Sequence, residues 1–310
     1  MLDPTGERPM TDTDAGSDPD PDADFDGGNG TGESADRERP LSLFDHPDTV
    51  RDRLAHASGL LLCTDFDGTL APITDDPGDT EITAANDEAL RTLADREGVA
   101  VAAVSGRAVE DVADRIGIEG IAYAGNHGLE LARDGDTTVH PPAAARVEDI
   151  EAVLGELEDH LGEVDGCVFE DKGVTATIHY RQAASEDVPT IETAVDEALD
   201  EYGERLECSS GKEVFEIGPA IPWDKGQVVS LLVEDTPEGW IGACLGDDTT
   251  DETAFRALGE DGISVFVGDE TEETAAQYRV PDPEGVARFL EWLTDEGTEA
   301  IASDRSPGDR

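Results

Sequence analysis

The order of segments constrains this chain most: a short apolar run of strand length, an abrupt polar stop, then an amphipathic helix. The run "GLLLCT" (59–64) ends in "DFDGTLAP" (65–72), where Gly68 and Pro72 stop a strand and open a loop. Helix "AANDEALRTLADREG", strand "VAVAAVSG", helix "RAVEDVADRIG" and strand "IAYAGNHGLEL" follow. Later come "KGQVVSLLVED", "WIGACLGDD", "TTDETAFRALGED", "GISVFVG" and "PEGVARFLEWLTDE". Strand and helix taking turns predicts an α/β fold, a Rossmann-like parallel-sheet core with helices on both faces, because parallel neighbours need a crossover and doubly apolar strands need two covers.

A block of different rhythm interrupts this alternation. Residues 143–163 read as one helix, "CVFEDKG" and "VTATIHYR" as strands, 187–203 as a second helix, then "LECSSG" and "EVFEIGP" as strands. Helix-strand-strand taken twice predicts an inserted α+β cap at 141–218. The core is then 46–140 with 219–296, and disordered tails are expected at 1–45 and 297–310.

Charge narrows the function. The formal net charge is −54, with 75 acidic against 21 basic residues, which excludes attraction to nucleic-acid phosphates or an anionic membrane. Residues 1–45 account for only −10 of it, so the folded part is itself acidic. A surface of that kind suits the cytoplasm of a salt-loving microbe, where salt screens self-repulsion. Only Lys172, Lys212 and Lys225 are lysines, against eighteen arginines, so each asks for a local reason. The four cysteines lack metal spacing and read as reduced, buried thiols. The start "MLDPTGERPM" has no apolar leader core, no run approaches a membrane span, and Met10 offers a second start.

The tetrapeptide DFDG occurs twice. The first copy matches a calcium-loop pattern at Asp22, Asp24, Asp26, Gly27 and Glu33, but helix breakers flank it and Asn29 stands where an apolar residue is normal. It reads as part of a solvated acidic tail. The second copy puts two carboxylates just past a buried strand, the edge at which open α/β sheets bind ligands. "VSGR" (104–107), "WDKG" (223–226) and "LGDDTTDE" (245–252) sit at comparable places. Singly, each motif can be a turn or a helix cap.

Together, "DFDGTLAPI", "VSGR", "GNHGLE", "EDKG", "GKEVFEIGP", "WDKG" and "GDDTTDE" resemble the haloacid dehalogenase-like phosphohydrolases and, within them, the trehalose-6-phosphate phosphatases. The resemblance covers roughly residues 58–293. It implies hydrolysis of a sugar phosphate, with Asp65 as nucleophile, Asp67 as general acid and base, and Lys225 supplying positive charge. Four carboxylates beside a dianionic ester need a divalent cation, and all-oxygen donors select Mg²⁺. By resemblance its ligands are Asp65, the Asp67 carbonyl and Asp247, with Asp248 and Asp251 in support.

The resemblance further implies a phosphate cradle of Thr69, Ser105, Gly106 and Lys225. Arg107 either reaches substrate or pairs with an acidic neighbour. Glu170, Lys172, Lys212 and Glu216 of the cap are the implied sugar-binding set, faced from the core by Asn126 and His127. His127 can instead be a turn residue, Glu170 and Glu216 can pair across a sheet, and His179 reads as packing.

Three other readings stay open: a phosphatase for glucosylglycerate, mannosylglycerate or sucrose phosphate, a phosphomutase, or a non-catalytic acidic metal-binding protein. The expected partner is a small sugar phosphate, with no nucleic acid and no membrane. A trehalose-phosphate synthase is a possible functional partner.

Overall fold

The computed structural model describes residues 40–74, 77–211 and 213–301. The calcium-type match at 22–33 and Lys212 lie outside the described residues. In chain order the first half runs β1 (Leu41–Ser42), α1 (Pro47–Ala55), β2 (Gly59–Thr64), α2 (Ala84–Ala94), β3 (Val99–Val104), α3 (Val109–Ile116), β4 (Ala122–Gly125), β5 (Glu130–Arg133), β6 (Asp136–Val139) and α4 (Pro141–Ala144). Next come α5 (Val147–Leu161), β7 (Val168–Asp171), β8 (Ala176–His179), α6 (Val188–Asp200), β9 (Leu206–Ser210) and β10 (Val214–Pro219). The chain closes with α7 (Lys225–Glu234), β11 (Trp240–Gly246), α8 (Asp251–Leu258), β12 (Ile263–Val267), β13 (Tyr278–Val280) and α9 (Pro283–Trp292).

Among the described residues one sheet has the order β1-β13-β12-β11-β2-β3-β4-β5-β6, parallel from β1 to β4 and antiparallel at β5 and β6. All six residues of β2 are buried, as a central parallel strand requires. Alternation then assigns faces: Leu60 and Leu62 pack with Val50, Leu90, Val112 and Phe289 from α1, α2, α3 and α9. Leu61 and Cys63 pack on the other side with Val228, Val229 and Phe255 from α7 and α8. Helices therefore cover both faces, the predicted layer order.

The interrupting block forms a second sheet, β7-β8-β10-β9, antiparallel throughout. Its Ala176, Ile178, Phe215 and Ile217 pack against Ile150, Val153, Leu157, Ile191 and Val195 of α5 and α6, giving this unit its own core. Thr175, Thr177 and His179 alternate onto the opposite face.

Several boundaries differ from the sequence reading. The run "IAYAGNHGLEL" is not one strand, because Asn126, His127 and Gly128 all have positive φ (49°, 56° and 93°) and reverse the chain into a β4–β5 hairpin. The expected tail to residue 45 is too long. Leu41 and Ser42 pair with β13, and Leu43 is buried under the sheet. Likewise the described chain continues beyond 296 in a π turn, Leu293–Gly297, that buries Leu293 and Gly297. The helix read at 143–163 is α4 and α5, and that read at 187–203 ends at Asp200.

Cys63 and Cys244 are buried and free, whereas Cys167 is half-buried and Cys208 exposed. Burial pushes the Cys63 thiol up to about 12, so it stays protonated. Among the described residues no helix is long and apolar enough to cross a membrane.

Candidate active site

The carboxyl ends of β2, β3 and β11, three neighbouring strands, bring "DFDGT", "VSGR" and "LGDDTTDE" to one edge, whereas "WDKG" follows β10 of the other sheet and opens α7. Asp65, the first residue past β2, is only 6% exposed. Its N–H donates to the Leu245 carbonyl at 2.9 Å, and its Oδ1 accepts the Phe66 N–H at 2.7 Å. Gly68 has φ 77°, and a Cβ there would lie 2.0 Å from Asp247 Oδ2, so the turn closes on Asp247 only because this residue is glycine.

Lys225 opens α7, where Asp224 caps the helix by accepting the N–H groups of Gly226 and Gln227. Its ammonium is 2% exposed and lies 3.0 Å from Asp65 Oδ2 and 2.8 Å from Asp251 Oδ1. Burial pulls the lysine pKa down, but the charges of Asp251 and Asp65 more than offset this, so it remains an ammonium.

Asp65, Asp247 and Asp251 each offer an oxygen within 4.8 Å of the others. Burial pushes the Asp247 carboxyl up to about 7, with the Asp251 charge adding to it. Burial likewise holds Asp65 well above the usual carboxylate range, despite Lys225. Such crowding of buried anions is what a bound divalent cation relieves, and the donors are all oxygen, so the residues fit Mg²⁺.

The third carboxylate of this group is Asp251, not Asp248. Asp251 Oδ2 accepts the Asp247 and Asp248 N–H groups at 3.1 and 3.0 Å, fixing the loop before α8. Asp248 is exposed and its Oδ1 accepts from the Thr249 N–H and hydroxyl. Thr69 is fully buried and donates to Asp247 Oδ1 at 3.2 Å, so its contact is with that carboxylate.

Asp67 and Arg107 form a bidentate pair. Arg107 Nε donates to Asp67 Oδ2 and Nη2 to Oδ1, each at 2.7 Å, while Nη1 donates to Asp111 Oδ2 at 2.8 Å. Arg115 donates to the same Asp111, completing a chain of alternating charge. Of the two sequence readings for Arg107, pairing with acidic neighbours is the one seen. Ser105 Oγ accepts the Arg107 N–H at 3.2 Å, which leaves the hydroxyl hydrogen available as a donor.

From the cap, Glu170, Thr177 and Glu216 stand in one row across β7, β8 and β10, hence on one face. Glu170 Oε2 meets His179 Nε2 at 2.9 Å, so His179 is a hydrogen-bond partner rather than packing alone. That contact holds the Glu170 carboxyl below the usual range, with Lys172 adding to it. Lys172 Nζ lies 3.6 Å from Glu216 Oε1 and donates to the Gly106 carbonyl at 3.3 Å. His127 Nε2 lies 3.4 Å from Glu216 Oε2, and its ring fills the space beside Gly106.

Asn126 differs from its expected role. It is fully buried and its amide is committed to Glu130, Lys172 and Thr175. Thr175, Asp111 and His179 had no motif to announce them, and Glu130 stood in "GNHGLE" without an assigned role.

Glu216 gives a pH prediction. Burial raises its pKa, but His127 and Lys172 outweigh that and bring it down to about 2 from 4.5. A depressed carboxyl contributes stability that is present above its unfolded pKa and lost as pH falls through the folded one. Glu216→Gln is expected to remove at most about 3 kcal/mol of this term. Acid unfolding curves of variant and parent should therefore converge between pH 4.5 and about 2. Curves equally far apart across that window would contradict the ion-pair assignment.

Residues 63–284 match the family model described as trehalose-phosphatase. A trehalose-phosphate phosphatase of Mycobacterium marinum is 39% identical over 73% of this chain and 59% of its own length. Its namesake in Mycobacterium tuberculosis is 37% identical over 76% of this chain and 61% of its own. The chain thus spans about three fifths of the curated relatives it matches. The C-terminal domain of the Candida albicans trehalose-6-phosphate phosphatase superposes with a TM-score of 0.67 over 83% of this chain and 98% of that one. At 21% identity it shares the fold.

Proposed function

This chain belongs to the trehalose-phosphatase family, and on that premise we propose that it hydrolyses trehalose 6-phosphate to trehalose and phosphate through an aspartyl-phosphate at Asp65. The observation that carries the reading is the 3.0 Å contact of Lys225 Nζ with Asp65 Oδ2 inside a cluster of three carboxylates. A phosphate dianion repels an anionic nucleophile, so a buried carboxylate is useful against it only beside fixed positive charge.

In the first step an Asp65 carboxylate oxygen bonds to phosphorus as the phosphorus–sugar oxygen bond breaks, and Asp67 gives its proton to the leaving oxygen. In the second, Asp67 takes a proton from water, whose oxygen bonds to phosphorus as the bond to Asp65 breaks. Both oxygens of Asp67 are held by Arg107, so the pair has to open for Asp67 to reach the sugar oxygen. Lys225, the Ser105 hydroxyl and the Gly106 backbone bind the transferring group, while the Thr69 hydroxyl holds Asp247.

Asp65, Asp247 and the Asp67 carbonyl would hold Mg²⁺, with Asp248 and Asp251 behind them. Asp251 is already committed to Lys225 and two N–H groups, which suits a supporting role. The ion would neutralise the carboxylates and polarise the phosphoryl oxygens. Glu170, Lys172, Lys212, Glu216 and His127 would grip the sugar hydroxyls, and cap closure would exclude bulk water. The substrate would come from a trehalose-phosphate synthase, in the cytoplasm of a halophile.

Phosphate release from a panel of sugar phosphates in high salt, with and without Mg²⁺, tests this reading. Trehalose 6-phosphate is expected to be preferred by at least about tenfold in kcat/KM, with activity lost on chelation. Preference for glucosylglycerate, mannosylglycerate or sucrose phosphate would move the substrate but keep the reaction. A flat response would remove the sugar assignment. Isomerised sugar phosphate without free phosphate would make the protein a mutase.

A further inference from the structure

The turn Asn126–His127 touches both the cap and the loop that carries Ser105 and Arg107. Two consecutive non-glycine residues at φ 49° and 56° occupy a sparsely populated region, a conformation that persists only when its surroundings hold it. What holds it is a set of backbone hydrogen bonds to the neighbouring loop. The Asn126 N–H donates to the Arg107 carbonyl at 2.7 Å and the His127 N–H to the Ser105 carbonyl at 2.9 Å. The carbonyl between them, that of Gly106, accepts from Lys172 Nζ of the cap. Three successive carbonyls of one loop are thus held by this turn and the cap together.

The side chain of Asn126 points the other way in function. Its Nδ2 donates to Glu130 Oε2 at 2.6 Å and to the Lys172 carbonyl at 3.0 Å, and its Oδ1 accepts the Thr175 hydroxyl at 2.6 Å. Both donor hydrogens are used and the residue is fully buried, so no sugar hydroxyl can reach it. Thr175 is 4% exposed and sits in the β7–β8 turn. Beside it, Val174 is buried against Leu129 of the core and Ala143 of α4. The hairpin turn therefore enters the core with an apolar side chain, Val174, flanked by polar contacts of Thr175 and Lys172.

We infer that Thr175 and Asn126 form a docking pin, a pair of positioning residues that seat the cap hairpin, and with it the sugar-facing side chains of the cap, on the turn Asn126–His127. Neither residue contacts the reacting atoms. The kinetic consequence rests on the phosphatase reading above, whereas the consequence for the turn itself does not.

The test uses the full chain with Thr175→Val, Thr175→Ala and Thr175→Ser. Removing the hydroxyl strands a buried acceptor, and the expected loss is about 10- to 100-fold in kcat/KM on trehalose 6-phosphate. Hydrolysis of p-nitrophenyl phosphate, too small to need the cap, should change less than about threefold. Thr175→Ser should restore the parent values. Hydrogen exchange at the Asn126 and His127 amides should rise about tenfold or more in the Val and Ala variants and return in Ser.

Unchanged exchange at those two amides in a folded Val or Ala variant would overturn the pin. So would equal losses on both substrates, which would mark damage to the core instead. If the parent protein leaves trehalose 6-phosphate untouched, the function reading fails while the exchange measurement still decides the pin.

Discussion

Asp65→Asn is expected to lower turnover by about 10⁴-fold or more, with the fold retained. The amide has the shape of the carboxylate but no charge with which to bond to phosphorus. The structural loss is the 3.0 Å ion pair with Lys225, which relief of the crowded carboxylates offsets. Asp65 is held well above the usual carboxylate range, first by burial and then by Asp251 and Asp247, so a neutral group at this place relieves a cost. Lys225 keeps its 2.8 Å contact with Asp251. The melting temperature should therefore match or exceed the parent's, measured beside phosphate release. A metal-binding protein without catalysis predicts a different outcome, in which neither parent nor variant releases phosphate.

Lys225→Met should damage both rate and stability. The ammonium is the partner of two buried carboxylates, with Asp65 and Asp251 side chains 8% and 2% exposed. Removing one member of a buried ionic set leaves uncompensated charge, and the expected cost is about 3–5 kcal/mol. Denaturant unfolding measures it directly. Loss of positive charge beside the transferring group should lower kcat by a further ~10²- to 10³-fold. Because Asp251 also holds the Asp247 and Asp248 N–H groups, part of the loss would arise from loosening of the β11–α8 loop. A variant as stable as the parent would show that the three-way contact contributes little.

The parts of the molecule legible in the sequence are those with local causes. The β2 run is apolar at every position, and the Gly and Pro after it stop the strand, so the place of Asp65 past a buried strand follows from local pattern, as does that of Asp247 past β11. Scarcity marked Lys225 and Lys172, which lie in ionic contacts that bridge separate elements. The reversal at Asn126–Gly128 was hidden because "IAYAGNHGLEL" stays apolar on either side and the left-handed turn has only one glycine. The three-residue β13 carries too little pattern to announce itself, and Leu41 and Ser42 pair with it across a long gap.

Side-chain partners far apart in the chain carried no local signal at all. Arg107 and Asp67 are 40 residues apart, and Thr175 and Asn126 are 49 apart. Thr175 reads as one polar residue in an alternating strand, and only the docked hairpin gives it a partner. The choice of Asp251 over Asp248 depends on Gly246, where a Cβ would come within 2.1 Å of the Asp251 carboxyl carbon. That glycine was the available clue.

The central claim is that the Asp65 carboxylate accepts the phosphoryl group. Its most direct test is acid quenching during turnover with Mg²⁺ and trehalose 6-phosphate, followed by mass analysis of the peptide spanning residue 65. The expected result is one added phosphoryl group on Asp65, removed by hydroxylamine as an acyl phosphate is, and absent from Asp65→Asn. Phosphate released at full rate by Asp65→Asn, with no adduct on that peptide in the parent, would contradict it.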